Sequence, residues 1–319
     1  MITTIFSRSR PFNYVIVIVM LIICFILVEV FNLEDSATPA LLLKKLGILM
    51  VLVTSLFLAN FITYHNDLSR NSTYSILFYF LFLIIFPDVL DNYNLVIANF
   101  LILLALRRLF SIQSLLKPKE KIFDASLLIF TASLFHFWSV LFILLVFVSI
   151  VLHVSRDYRN WIIPYIALFT VAVIFTLIAS VLSEPLIANF FPNKSLIADF
   201  LAKVDIDFSF TYFKDQSENI AFSIYVMIAC LFFFSQLLSY SKKPLMLHAT
   251  YKKAIIGFII GIVILIISPD KSNGVLIYTF LPLSLMATSY IESLDIRWMK
   301  EATTLLIIGL VFLSFFLQL

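Results

Sequence analysis

The chain has 319 residues, 62% of them hydrophobic and only 13% charged, with a mean hydropathy of +1.07. A soluble domain lies nearer half apolar and a quarter charged, so the composition excludes a soluble globular protein and indicates one that spans a membrane several times. The net charge of +3 is small, and no nucleic-acid partner is expected.

Arg8 and Arg10 precede an apolar run from Tyr14 to Val30. That run is long for a signal-peptide core, and no small-x-small cleavage site follows in "FNLEDSATPA". A retained first span is therefore expected. Spans are read at 13–31, 46–64, 74–90 and 93–110, and later at 161–182, 220–240, 254–269, 274–291 and 302–318. Lengths of about 17–20 residues match a hydrocarbon core of about 30 Å at 1.5 Å per residue. Cys24 and Cys230 both fall in apolar spans, which argues against a disulfide framework or a metal pair.

The run from Asp124 to Val154, with "TASLFHFWSVLF" at its centre, contains no Pro, Gly or Lys. As one helix it would measure about 45 Å, too long without strong tilt. As two helices each arm is short. Length does not decide, but charge does, because Lys and Arg are retained on the cytoplasmic side. A hairpin with its turn near His136 puts sixteen Lys and Arg on one side and six on the other, whereas a single helix gives twelve against ten. The hairpin reading is preferred. It predicts an all-α, polytopic transmembrane bundle of about eleven segments forming one integral membrane domain over 1–319. The N-terminus is then cytoplasmic and the C-terminus outside. A turn at membrane depth needs its backbone satisfied by protein, so the tip, with Ser133, His136, Trp138 and Ser139, is expected to be buried.

Three segments then share the outer side. "NLEDSATPA" carries Glu34 and Asp35, and "FPDVLDNYN" carries Asp88 and Asp91. The loop 183–219 carries a net charge of −3. Within it Leu196, Ile197, Phe200, Leu201 and Val204 recur at helical spacing, predicting a helix lying in the interface plane. Ile206, Phe208, Phe210 and Tyr212 then alternate as on an extended segment. Such a loop is either a lid over a lipid-facing cleft or a packing element. Glu29 lies about one turn inside the first span, where an ionisable group is a functional candidate or one that snorkels to the surface.

No phosphate-binding loop, dinucleotide fingerprint or HExxH helix occurs. His65, His136, His153 and His248 are scattered without ligand spacing, so no metal site is assigned to them. The outer carboxylates Glu34, Asp35, Asp88 and Asp91 carry the strongest chemistry. One of them could act as general base on an acceptor hydroxyl, or hold a divalent metal bridging phosphates; the alternative is ordinary acidic loop residues. Lys44, Lys45 and Lys203 are the outer cations available to a phosphate.

The early spans, the acidic turn "NLED", the inner "ALRRLF" and the helix pair around "SLFHFWSV" resemble the membrane core of polyprenyl-phosphate-sugar-dependent glycosyltransferases of the GT-C class, over about residues 1–180. The resemblance implies a lipid-linked sugar donor and an acidic base in the first outer loop, at Glu34 or Asp35. Asp88, Asp91, His136, Lys44, Lys45 and Lys203 then become candidate substrate contacts. The whole chain also resembles a multi-pass inner-membrane family of Gram-negative bacteria, which implies location only. Three functions stay open: such a transferase, a non-catalytic membrane subunit or scaffold of an envelope assembly, and a lipid or solute transporter. The near absence of charge in mid-span disfavours the last.

Overall fold

The computed structural model describes residues 2–31, 39–69, 72–182, 216–269 and 271–319. In chain order its α-helices are α1 (Ile2–Phe6), α2 (Pro11–Phe31), α3 (Pro39–His65), α4 (Tyr74–Ile84), α5 (Asp88–Asp91), α6 (Tyr93–Ser111) and α7 (Pro118–Phe135). They continue as α8 (Ile143–His153), α9 (Arg159–Leu182), α10 (Gln216–Ser239), α11 (Leu245–Ile267), α12 (Ile277–Ser293) and α13 (Arg297–Gln318). No strand occurs among the described residues. Among the described residues eight helices are long and apolar enough to cross a membrane: α2, α3, α6 and α9 to α13. The remaining apolar helices, α4 and the α7–α8 pair, are shorter or carry charge at one end.

The disputed run is a hairpin. α7 ends at His136, whose extended backbone (φ −135°, ψ 106°) breaks the helix, and Phe137–Phe142 continues as a 3₁₀ turn into α8. Neither Pro nor Gly causes the break. Packing of the turn and of α8 on α7 and α11 holds it, and the reversal brings Lys119 Nζ, in the first turn of α7, to 2.8 Å from Asp157 Oδ2, just past α8. A continuous helix would separate those residues by about 57 Å.

Some boundaries differ from the sequence reading. α4 stops at Ile84 rather than 90, because Pro87 lacks an N–H and disfavours helix before it. α11 begins at Leu245, nine residues earlier than expected, so Lys252 and Lys253 sit within a helix and not in a loop. The interfacial helix and the alternating segment expected at 196–212 lie outside the described residues.

The core is built around α4 and α12. Every residue of α4 is buried, as are most of α12. Between them and α10, the rings of Phe82, Phe86, Tyr225 and Phe280 meet with centroids 5.4 to 6.3 Å apart. α11 approaches α12 at Gly261, where an added Cβ would stand 2.5 Å from Thr279 Cγ2 and 3.3 Å from its backbone nitrogen. Some hydroxyls inside the bundle are satisfied by their own helix: Ser126, Ser149 and Thr288 each donate to a carbonyl four residues earlier. In lipid a helix has no other partner to offer them.

The polar links sort into two ends. At one, Tyr74 Oη donates to Thr3 O (2.7 Å), Ser72 Oγ to Glu292 Oε1 (2.6 Å), and Gln113 Nε2 to Met246 O (2.9 Å). Arg108 pairs with Asp124 at 3.1 Å. This end gathers the described members of the sixteen-residue basic group. The far end holds Glu29, Lys44, Lys45, Asp88, Lys271 and the tip of the α7–α8 hairpin.

Candidate functional site

Glu34, Asp35 and Lys203 lie outside the described residues, so the candidate site is built from what surrounds them along the chain. At the far end, the last turns of α2 bring Glu29 Oε2 to Lys45 Nζ of α3, an ion pair. The other carboxylate oxygen of Glu29 is buried without a hydrogen-bond partner. Lys44 places its Nζ 3.9 Å from the centroid of the Tyr93 ring, a cation–π contact. Tyr93 opens α6, and Asn92 caps that helix by accepting a hydrogen bond from Leu95 N at 3.3 Å. Asp88 and Asp91 bound the single turn of α5, immediately before the cap, and Asp88 is exposed. Two of the expected phosphate-binding lysines thus have partners of their own, one a carboxylate and one an aromatic face.

The hairpin tip reaches the same end. His136 is buried, its Nε2 3.4 Å from Ser268 Oγ just past α11, and its ring centroid 5.5 Å from that of Tyr278 near the start of α12. Beside it in the chain Trp138 Nε1 and Ser139 Oγ, and on the facing helix Tyr278 Oη, are buried without a hydrogen-bond partner. Each such atom costs about 1–3 kcal/mol, so the meeting of the Phe137–Phe142 turn with Tyr278 at the start of α12 is a concentrated polar spot in an apolar bundle. It could hydrogen-bond a hydroxyl-bearing guest. Three cavities, of about 670, 510 and 300 Å³, lie elsewhere, and none of them includes His136 among its walls. Among the described residues no group of three His, Cys, Asp or Glu could hold a metal ion.

The basic end carries groups that sequence reasoning passed over. Lys253 is fully buried, and its Nζ donates to Leu109 O in the last turns of α6 at 2.8 Å. A cation at a helix C-terminus is favoured by the helix dipole. The adjacent Thr250 donates to Gln113 Oε1 at 2.7 Å. The signal was the pair Lys252–Lys253: neighbours on a helix point about 100° apart, so once the helix begins before them, one must turn toward the bundle. Lys119 holds the Asp157 carboxyl below its ordinary value, helped by the backbone N–H of Arg159. The 670 Å³ cavity opens at this end beside Arg107, Arg108, Lys117 and Lys121.

Comparison of the chain with protein-family models, curated proteins and solved structures gives no match in any of the three.

Proposed function

We propose that the chain is a multi-pass protein of the bacterial cytoplasmic membrane with eleven membrane segments, its N-terminus in the cytoplasm and its C-terminus outside. The eight long helices, α4 with α5, and the two arms of the hairpin make up the eleven. The observation that carries this reading is the reversal at His136, marked by the proximity of Lys119 and Asp157. It keeps the basic residues before and after the hairpin at one end, and the positive-inside rule then makes that end cytoplasmic.

The activity we propose is transfer of a sugar from a polyprenyl-phosphate donor to an acceptor at the outer end. The carboxylate of Glu34 or Asp35 takes the proton from the acceptor hydroxyl as its oxygen bonds to the anomeric carbon. The bond from that carbon to the phosphate oxygen breaks, and the polyprenyl phosphate leaves with the electron pair. Lys44, Lys45 and Lys203 offset the phosphate charge, and a divalent metal could share that task. What supports the reading is the gathering of Asp88, the Lys44–Lys45 pair and the polar hairpin tip at one end. The test is Glu34→Gln with Asp35→Asn: glycan transfer in cells is lost while the protein remains in the membrane. Unchanged glycans at normal protein level would overturn it.

A second reading is a non-catalytic subunit of an envelope assembly. It is favoured by the engagement of Lys45 with Glu29 and of Lys44 with Tyr93, which leaves those cations less available to a substrate. Turnover of a lipid-linked sugar by the purified chain alone separates the two readings.

A further inference from the structure

Two cavities at the basic end adjoin along one seam. α3 and α6 lie side by side and both run toward this end, since Phe61 and Arg107, in their last turns, stack on each other with the guanidinium carbon 4.5 Å from the ring centroid. Further back along the seam, Phe57, Leu58 and Phe61 of α3 face Phe100 and Leu104 of α6 across a cavity of about 510 Å³. Toward the helix ends, the cavity of about 670 Å³ opens beside Phe61, Arg107, Arg108, Lys117 and Lys121. Phe61 is a wall of both. The seam is therefore largely apolar on the membrane side, where Tyr14 of α2 and Asn60, bonded to each other, complete the cavity wall, and cationic at the surface, with Arg107 at the changeover.

The charges in the surface cavity are not equivalent. Arg108 is paired with Asp124, and Lys117 with Glu120. Lys121 donates to two neutral oxygens, Ser111 O at 2.6 Å and Ser114 Oγ at 2.8 Å. Arg107 has the face of Phe61 and, among the described residues, no carboxylate partner. Asp67, exposed, also borders the cavity. The C-terminal carbonyls of α3 and α6 disfavour an anion, so a phosphate here depends on Arg107 and Lys121. Arg is suited to it: its fork of donors matches a phosphate, and its flat face can stay on Phe61.

An inorganic anion has no use for the apolar half of the seam. A lipid uses both: Phe57 and His65 bound a stretch of α3 about 12 Å long, enough for much of an acyl chain below its headgroup. Phe57, Phe61 and Tyr64 are also exposed on the flank of the bundle, where a chain would enter from the bilayer. Basic recesses between membrane helices on the cytoplasmic side recognise anionic headgroups by this chemistry. We propose that the α3–α6 seam binds one anionic glycerophospholipid, with its phosphate on Arg107 and an acyl chain between Phe57, Phe61, Phe100 and Leu104.

The test uses the full chain, purified in a neutral detergent and titrated with phosphatidylglycerol or phosphatidylcholine, with bound lipid counted by native mass spectrometry. Phosphatidylglycerol is expected to bind more tightly, and Arg107→Gln with Arg108→Gln to weaken it about tenfold or more, from the attraction of basic groups to anionic lipid. Lys243→Gln with Lys300→Gln, an equal loss of charge elsewhere on the same end, is expected to keep the preference. Leu104→Trp, which disturbs no ion pair, is expected to block the groove and lower phosphatidylglycerol binding with all charges intact. It keeps the test decisive if the double arginine variant does not fold. The proposal is overturned if phosphatidylcholine binds as well, or if both double variants lose the preference equally, which would mean a diffuse surface field. It is also overturned if inorganic phosphate displaces the lipid while Leu104→Trp has no effect, which would mean a headgroup site alone.

Discussion

The reversal at His136 decides the side of every later segment, and it can be tested by proximity. Lys119 and Asp157 are 38 positions apart, so a straight helix would part them by about 57 Å. In the hairpin their charged tips are 2.8 Å apart. Allowing about 6 Å for the lysine stem and about 3 Å for the aspartate, with trans backbone spacing as the scale, their Cα atoms lie within about 12 Å. Cys24 and Cys230 are both free thiols and would be replaced by Ala. Lys119→Cys with Asp157→Cys should then be joined in native membranes by a bis-maleimide of about 10 Å reach, comparable to that Cα limit. Cleavage in the 137–142 segment, through an engineered protease site, should leave the two halves linked on a denaturing gel. Lys119→Cys with Lys271→Cys, one at each end of the bundle, should not be joined. Absence of the first cross-link, with both thiols reactive to a monofunctional maleimide, would refute the hairpin and with it the assignment of sides.

Three further outcomes follow from the packing. At Gly261, where an added Cβ would meet Thr279 at 2.5 Å, Gly261→Ala should cost about 1–3 kcal/mol of detergent-unfolding stability as α11 is pushed from α12. Gly309→Ala, with nothing within 4 Å of the added carbon, should gain about 0.4–1 kcal/mol by lowering the entropy of the unfolded chain; equal effects at both sites would contradict the close crossing. Lys253→Met should be near neutral in the same unfolding assay, because it gives up one charged hydrogen bond but also the desolvation of a buried ammonium. Lys253→Ala should lose about 2–5 kcal/mol from the void it leaves, and a methionine variant as unstable as the alanine one would show that the charge itself is required. The Asp157 carboxyl is held below its ordinary value of 3.8, so its pair stabilises the fold above about pH 4 and the contribution is lost as pH falls through the lowered value. The difference in melting between the native chain and Asp157→Asn should thus be present at pH 7 and vanish near pH 2; a difference that persists there would mean another cause.

The fold was legible where apolar length and charge spoke together. The long spans and the break at His136 could be read because each follows from hydrocarbon thickness or from the distribution of Lys and Arg. Helix ends were less legible. Pro87 shortens α4, and the early start of α11 draws Lys253 into a buried position, because membrane composition masks capping signals and only a partner such as Leu109 O makes a buried lysine tolerable. The site was least legible. Lys44 and Lys45 look like free outer cations in the sequence, but what occupies them is set by Tyr93 and Glu29 on other helices, which no spacing along the chain reveals. The polar spot at the hairpin tip joins residues more than 130 positions apart, from His136 to Ser268 and Tyr278. The adjoining cavities along α3 and α6 depend on a parallel pairing of non-consecutive helices.

α4 has one more consequence, which concerns the order of synthesis. It has eleven residues, too few to cross the bilayer unaided, and its surroundings arrive late. The ring of Phe280 belongs to α12, and the carbonyl of Ile85, just past the end of α4, accepts from Gln318 Nε2 of α13 at 2.8 Å. During translation α4 must therefore wait beside α2 and α3 while about two hundred further residues are made. A chain stopped before α12 would leave the face of α4 that packs on Phe280 without its partner, and the Ile85 carbonyl unmet. Membrane quality control should recognise such a chain as unfinished.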